Sequence, residues 1–341
     1  MNSEERLINA ILRKEVDRIP TLEWSIDKKV INDILPGASE EEFIYKMNID
    51  AFIAEVDYKK SEISPGVFKN EWGIIEKVTP ESHTISLEGC IKNMDDFKKI
   101  IPPDVKVSYR FNTFEKMVKK HSGKKAIVLR LNDVFSIPRN LLGYENLFIN
   151  IASNPNFVRD LVDMSAEYNI ALAKEAVKKG ATIIFTGDDY AYSEGLLISP
   201  KAFNEIFYPG FKKVVKNFKD LGLLVIKHTD GNIWEIIDKL VESGIDCLDP
   251  IDPSSGMDIF SVKEKYGNRI SIKGNVNCAY TLTFGTMEET IAETKKCIKD
   301  GGYNYGYILS SSNSIHSSVK PENYKAMLDT LMKYGKYPLN I

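Results

Sequence analysis

The chemistry in this chain is concentrated in short polar runs that follow apolar ones. The run HTDGN (228–232) puts His228 and Asp230 two positions apart as a predicted strand ends, so both side chains project toward one face. An imidazole nitrogen beside a carboxylate oxygen suits a metal such as Zn²⁺. The same pair has an ordinary structural use: Asp230 caps a helix starting near Ile233 while His228 hydrogen-bonds locally. The run GDDYAYSEG (187–195) adds Asp188, Asp189 and Glu194. Adjacent side chains on an extended chain face opposite ways, so at most one of Asp188 and Asp189 is expected in a common site. Glu194 is a candidate third metal ligand, a general base, or an exposed loop residue. Of the four histidines, His228 alone ends a predicted strand; His83 and His121 lie in polar stretches read as exposed, and His316 falls in a late loop. There is no nucleophile elbow, Walker loop, CxxC pair or HExxH.

The elements that must position these groups alternate between strand-length apolar runs and helix-length amphipathic ones. Eight strands are predicted: Ile19–Trp24, Ala51–Glu55, Ala126–Asn132, Thr182–Gly187, Leu223–His228, Cys247–Pro250, Ile270–Gly274 and Tyr307–Ser311. Continuous runs such as ATIIF and LLVIK fit parallel strands covered on both faces. Eight strand–helix units predict an α/β fold, a (β/α)8 TIM barrel, as one domain over 1–341. A doubly wound open sheet lacks the glycine-rich loop it would need after the first strand. Residues 66–89 alternate and carry turn residues, and predict an inserted β-hairpin. Pro209-Gly210 is expected to kink the helix opened by Ser199-Pro200.

In such a barrel the site lies at the C-terminal ends of the strands. Those ends supply Glu194, Asp188, Tyr190, Asn232 and Asn275 as candidate catalytic residues. Glu23, Trp24, Tyr192, Asn313 and His316 are candidates for contacting substrate, and His228, Asp230 and Glu194 for holding metal. Aromatic rings mixed with hydrogen-bonding groups suit a small, partly apolar molecule with one or two oxygens.

Composition narrows the partners. Lys and Arg total 45 against 48 Asp and Glu, a net charge of −3, with no basic stripe for nucleic acid. No apolar run reaches membrane-spanning length. The N-terminal MNSEERLINAILRKEVDRIP has no signal-peptide core, and Cys90, Cys247, Cys278 and Cys297 show no paired spacing, so a cytoplasmic protein with reduced thiols is expected. Arginine occurs only at 6, 13, 18, 110, 130, 139, 159 and 269. So few bidentate clamps argue against a heavily carboxylated substrate.

Six segments in order resemble the uroporphyrinogen decarboxylase superfamily along essentially the whole chain. They are VDRIP (16–20), KGATIIFTGDD (179–189), LISPKAFNEIFYPGFKKVV (197–215), HTDGN, IKGNVN (272–277) and GGYNYGYILSSSNSIHSSVKPENYKAML (301–328). The resemblance implies a (β/α)8 barrel and one of two activities: cofactor-free porphyrinogen decarboxylation, or methyl transfer with a separate corrinoid protein. The decarboxylase branch carries an Arg-rich segment after the first strand, where this chain reads TLEWSIDKK (21–29). The thiol-methylating branch binds zinc through an HxC pair and a late Cys. Here His228 is kept, Asp230 stands for the first Cys and Ser310–Ser312 for the second. The resemblance therefore implies a harder Zn²⁺ site of His228, Asp230 and Glu194. With it come a corrinoid carried by a partner protein and a small methyl donor (a methoxy compound, methanol or a methylamine), with a homo-oligomer left open. The expected function is corrinoid-dependent methyl transfer; the alternatives are a cofactor-free decarboxylase and a non-catalytic binding barrel.

Overall fold

The computed structural model describes residues 1–79 and 84–341; His83 lies outside the described residues. Its centre is a seven-stranded, all-parallel sheet. The strands are β1 (Ala51–Glu55), β6 (Ala126–Leu131), β7 (Ile183–Gly187), β10 (Leu224–His228), β11 (Cys247–Asp249), β12 (Ser271–Val276) and β13 (Tyr307–Ser311), adjacent in that order. Helices follow most of them. The strands are apolar on both faces because both faces are covered. In β6 the outward Ile127, Leu129 and Leu131 pack with the helical layer, while Ala126 and Val128 face inward.

The inward residues show how far the sheet curls. Ala51, Val128, Ile183, Phe185, Ile226, Cys247 and Ile308, from six different strands, share one buried cluster with Leu7, Ala10 and Ile11 of the N-terminal helix Ser3–Ile11. A flat sheet cannot bring side chains of its first and last strands together. The eighth predicted strand, Ile19–Trp24, does not form a ladder. It makes one parallel bridge, Thr21 to Leu309. The Leu309 N–H donates to the Pro20 carbonyl at 2.9 Å and the Asp50 N–H to the Thr21 carbonyl at 2.9 Å, so the segment spans the two edges of the sheet. Pro20 has no N–H to give a ladder. Side chains hold the segment instead. Asp50, fully buried, accepts from Arg6, from both terminal nitrogens of Arg18 and from the Thr21 N–H, all at 2.8–2.9 Å. At the other end the Ser311 hydroxyl donates to the Glu23 carboxylate at 2.6 Å.

The hairpin expected over 66–89 is part of a larger unit, a four-stranded antiparallel sheet of β2 (Lys60–Ser64), β3 (Val67–Asn70), β4 (Ile75–Val78) and β5 (Thr84–Glu88). Arg110 anchors this region, donating to Glu71 at 2.6 Å and to the Asp57 carbonyl at 2.8 Å. A two-stranded ribbon, β8 (Ala191–Tyr192) with β9 (Gly195–Leu196), follows β7. Where a kink is expected at Pro209-Gly210 the chain makes a wide π-helical turn over Phe203–Phe207, ending two residues before Pro209, whose missing N–H frees a carbonyl one turn earlier. No described helix is long and apolar enough to cross a membrane.

Candidate active site

The ends of β7, β10 and β11 lie side by side, with His228 registered against Gly187 on one side and Asp249 on the other. This adjacency gathers a cluster that no single motif contains. His228 Nε2 is 3.6 Å from Asp189 Oδ1 and 3.6 Å from Asp230 Oδ1. One donor atom from each of Asp189, His228 and Asp230 falls within 4.8 Å of the others. Bonds of about 2.0–2.1 Å in a tetrahedral zinc site put ligand atoms about 3.3 Å apart. The two distances from the imidazole nitrogen stand within a few tenths of an ångström of that spacing, and a rearrangement of the carboxylates would seat an ion.

Behind the imidazole, His228 Nδ1 meets Asp249 Oδ2 at 2.6 Å, and the other oxygen of Asp249 accepts from Lys273 Nζ at 2.5 Å. Both partners are buried, so the imidazole is fixed with Nε2 directed at the two aspartates. Burial alone would lower the pKa of His228, but the carboxylates of Asp230, Asp249 and Asp189 outweigh it and raise it. Burial pushes Asp230 up to about 6; His228 opposes this and Asp189 and Asp249 reinforce it. The carboxylates of Asp189, Asp230 and Asp249 gather around one imidazole with Lys273 as the cation bonded to Asp249, so the cluster itself suits a cation. Asp230 Oδ1 is buried with no hydrogen-bond partner, while its Oδ2 accepts from Asn313 Nδ2 at 2.9 Å. An oriented, orphaned carboxylate oxygen facing an imidazole nitrogen is what a metal ligand looks like before it is coordinated, so the donor set fits a divalent cation with oxygen and nitrogen preferences, Zn²⁺ among them.

Trp24 covers the cluster. Its ring stacks on His228 with centroids 4.7 Å apart and 20° between planes, and the Arg130 guanidinium lies 4.3 Å from the indole. Gly187 makes this possible, since a Cβ there would come within 2.7 Å of the indole. Gly231 closes the loop after β10, with φ +91 and the backbone of Tyr192 2.5 Å from where a Cβ would be. In front lies a cavity of about 320 Å³ lined by Trp24, Arg130, Arg139, Asp189, His228 and Asp230, with Thr84 of the four-stranded sheet forming part of the wall.

Several sequence expectations are corrected. Asp188 does not face the site; it is fully buried, and its Oδ2 accepts from the N–H groups of Asp133, Phe135 and Ser136 at 3.2, 2.6 and 3.1 Å, capping the helix Ser136–Leu142. Alternation leaves Asp189 pointing inward. Tyr190 is fully buried, its hydroxyl donating to Asp133 Oδ1 at 2.6 Å in a network that Lys227 joins at 2.5 Å. There burial and Asp188 push Asp133 up to about 8, with Lys227 opposing. Glu194 is exposed between β8 and β9 and is not in the cluster; Asp189 supplies the third donor. Asn275 lies within β12, which runs two residues beyond the predicted end, and its amide donates to the Ile251 carbonyl at 2.9 Å. Asn232 serves its own turn, accepting from the Trp234 N–H at 3.3 Å. Glu23 is buried against Ser311 rather than open to substrate, and burial pushes it up to about 7 with Lys273 opposing. His121, read as exposed, is buried against Phe52 and Tyr45. Trp24 and Asn313 do line the cavity; Tyr192 is exposed on β8, and His316 lines a neighbouring cavity with Cys278. Ser310, Ser311 and Ser312 bind Lys273, Glu23 and the Cys278 N–H, not the cluster. Asp249, in the polar run DPID (249–252) that ends its strand, and Lys273, in the middle of an apolar strand, complete the site; local spacing assigns neither of them a role.

The family model described as uroporphyrinogen decarboxylase (URO-D) matches residues 76–334. A methylcobamide:CoM methyltransferase from Methanosarcina mazei is 27% identical over 73% of this chain and 71% of its own length. The methylated-thiol–coenzyme M methyltransferase of the same organism is 24% identical over 58% of this chain, which spans 53% of that relative. A uroporphyrinogen decarboxylase from Neisseria meningitidis is 22% identical over 72% of the chain and 70% of its own length. A solved structure of a methyltransferase from Methanosarcina mazei superposes with a TM-score of 0.78 at 17% identity, covering 98% of this chain and 99% of the other, which shows a shared fold.

Proposed function

This chain belongs to the uroporphyrinogen decarboxylase family, and from that premise we propose that it is a methyltransferase moving a methyl group between a small methyl donor and a corrinoid carried by a partner protein. The observation that carries the reading is the Asp189–His228–Asp230 cluster beneath an open cavity. Cofactor-free decarboxylation has no use for three converging metal donors. The relatives named as methyltransferases favour the same branch. We take the chain as one domain, its sheet closed into a barrel by the 19–24 segment, and as a protein of the cytoplasm.

Zinc held by Asp189, His228 and Asp230 would act as a Lewis acid on the heteroatom that loses or gains the methyl group. The protein's own part is positional. Asp249 holds the His228 tautomer, Asn313 fixes the rotation of the Asp230 carboxylate, and Trp24 shields one side from water. The cavity leaves room for a small donor, and the open mouth for a corrinoid domain. With no thiolate among the donors the site is less electron-rich, and more suited to the oxygen of a methoxy compound or methanol than to a thiol. Glu194, Tyr192 and His316 would then lie at the rim.

The alternative is a decarboxylase, which the Neisseria relatives keep in view. A polycarboxylate would meet the carboxylates of Asp189 and Asp230 in the cavity. The test is zinc content by elemental analysis alongside methyl transfer to a corrinoid protein from a panel of methoxy, methanol and methylamine donors. Near-stoichiometric zinc, lost with transfer in a folded His228→Ala, is expected. Full transfer by metal-free protein, or coproporphyrinogen formed from uroporphyrinogen at enzymatic rates, would overturn the reading.

A further inference from the structure

The pairing of β7 with β10 ends at Gly187 and His228, and Asp188, Asp189 and Tyr190 run on beyond it. Side chains from the β10 segment take over where the ladder stops. Lys227 Nζ donates to the Asp188 carbonyl at 2.7 Å, which grips the peptide group before Asp189. The Thr229 hydroxyl accepts the Tyr190 N–H at 3.0 Å, which grips the peptide group after it. Between these two clamps the Asp230 N–H donates to Asp189 Oδ1 at 3.1 Å. Lys227 and Thr229 are the sequence neighbours of His228, and alternation sends them to the side of the chain opposite the imidazole. One three-residue stretch thus supplies a metal donor and both clamps on the donor across from it.

Both clamps are buried, Lys227 fully and Thr229 at 1% exposure. Desolvating an ammonium group is costly, and a buried ion pair returns little of that cost as stability. Lys227 pairs with Asp133 Oδ2 at 2.5 Å and spends a second N–H on the Asp188 carbonyl. Asp133 is anchored in turn, since its backbone carbonyl accepts from Ser165 Oγ and Asn169 Nδ2, each at 3.0 Å. The backbone around Asp189 is therefore tied to β10 and, through Asp133, to the helical layer. The Asp189 side chain itself is 39% exposed, the most open of the three donors, against 31% for Asp230 and 10% for His228. So little packing surrounds that carboxylate that its position depends on the backbone beneath it.

We infer that Lys227 and Thr229 are positioning residues for the third metal donor: by gripping both peptide groups that flank Asp189, they hold its carboxylate 3.6 Å from His228 Nε2 and so set the metal affinity of the site. They act through Asp189, with no contact to the ion themselves. The inference rests on the proposed metal site, and on no particular methyl donor. A merely structural role for the two residues predicts a loss of stability alone; a positioning role predicts a loss of affinity that requires Asp189.

The test is zinc affinity, by competition with a chromophoric chelator, and the visible spectrum of the Co²⁺-loaded protein, whose bands report the ligand set. Thr229→Val, which keeps the side-chain shape and removes the acceptor, should weaken zinc by about 10- to 100-fold, the range for losing an outer partner of a metal ligand, and shift the Co²⁺ bands. Thr229→Ser, which keeps the hydroxyl, should restore both. Lys227→Met with Asp133→Asn, which removes the ion pair as a unit, should weaken zinc to a similar degree. In an Asp189→Ala background Thr229→Val should cost nothing further, because no carboxylate is left to place. If the Lys227→Met, Asp133→Asn protein does not fold, the Thr229 series decides. A folded Thr229→Val protein that binds zinc within about twofold of the natural one with the same Co²⁺ spectrum, or an equal loss with and without Asp189, would overturn the inference. A natural protein that binds neither ion would remove the metal site and the inference together. Tight, Asp189-dependent binding in a protein that transfers no methyl group would keep the inference and remove the proposed function.

Discussion

Replacing Asp249 by Asn probes the site from behind, without touching a metal donor. Asp249 is 1% exposed and accepts two bonds, from His228 Nδ1 at 2.6 Å and Lys273 Nζ at 2.5 Å. An Asn amide can accept only through its oxygen. If that oxygen stays with Lys273, the NH₂ faces His228 Nδ1, which must then accept, and the proton moves to Nε2, where it blocks the donor aimed at Asp189 and Asp230. Loss of such an outer partner weakens metal binding by about 10- to 100-fold, or about 1.4–2.7 kcal/mol. Stability should fall as well, because Lys273 loses its counter-ion in the interior. Breaking a buried pair costs about 3–5 kcal/mol, with Ser310 Oγ, 3.0 Å from Lys273 Nζ, holding the value near the lower end. Adding Lys273→Met should restore much of the stability and none of the affinity. Zinc affinity is read by competition with a chromophoric chelator, stability by urea unfolding. A folded Asp249→Asn variant binding zinc within twofold of the natural protein would refute the claim that this pair orients the histidine.

Three further outcomes follow from the same geometry. Glu23 has a folded pKa of about 7 against an ordinary 4.5, raised by burial. A raised carboxylate pKa adds stability that is whole below pH 4.5 and is lost as pH climbs through 7, about 3 kcal/mol by pH 8; Glu23→Gln should flatten that slope, and an unchanged pH profile of unfolding would contradict it. Tyr190→Phe should cost about 1–3 kcal/mol in urea unfolding by stripping a donor from buried Asp133, while zinc content stays at the natural level; loss of zinc would return Tyr190 to the site. Glu194→Gln should leave zinc content unchanged and methyl transfer within twofold, because the side chain is exposed; a tenfold fall would bring the β8–β9 ribbon into the chemistry.

The strands of the parallel sheet were legible because their apolar runs record burial on both faces, and the polar residues at their ends follow from that. His228 and Asp230 were legible for the same reason. What the sequence could not display was lateral register. Asp189 and Asp249 join His228 only because β7 and β11 flank β10, and strand adjacency is not written in local spacing. The choice between Asp188 and Asp189 turned on which side of one peptide the helix Ser136–Leu142 begins. The segment Ile19–Trp24 reads as a strand by composition, yet Pro20 and the Asp50 and Ser311 side chains tie it in with little ladder. The span 66–89 reads as one hairpin yet holds β3, β4 and β5, and β2 before it is hard to see because the weak, exposed alternation of Lys60–Ser64 resembles a polar loop.

The most direct test of the central claim is the visible spectrum of a reduced corrinoid protein mixed with this protein and a methoxylated donor under anaerobic conditions. The account predicts conversion to the methylated corrinoid at a rate set by this protein's concentration, and no conversion when a folded His228→Ala variant replaces it. An unchanged corrinoid spectrum across methoxy, methanol and methylamine donors with zinc-loaded protein, or equal conversion by His228→Ala, would contradict it.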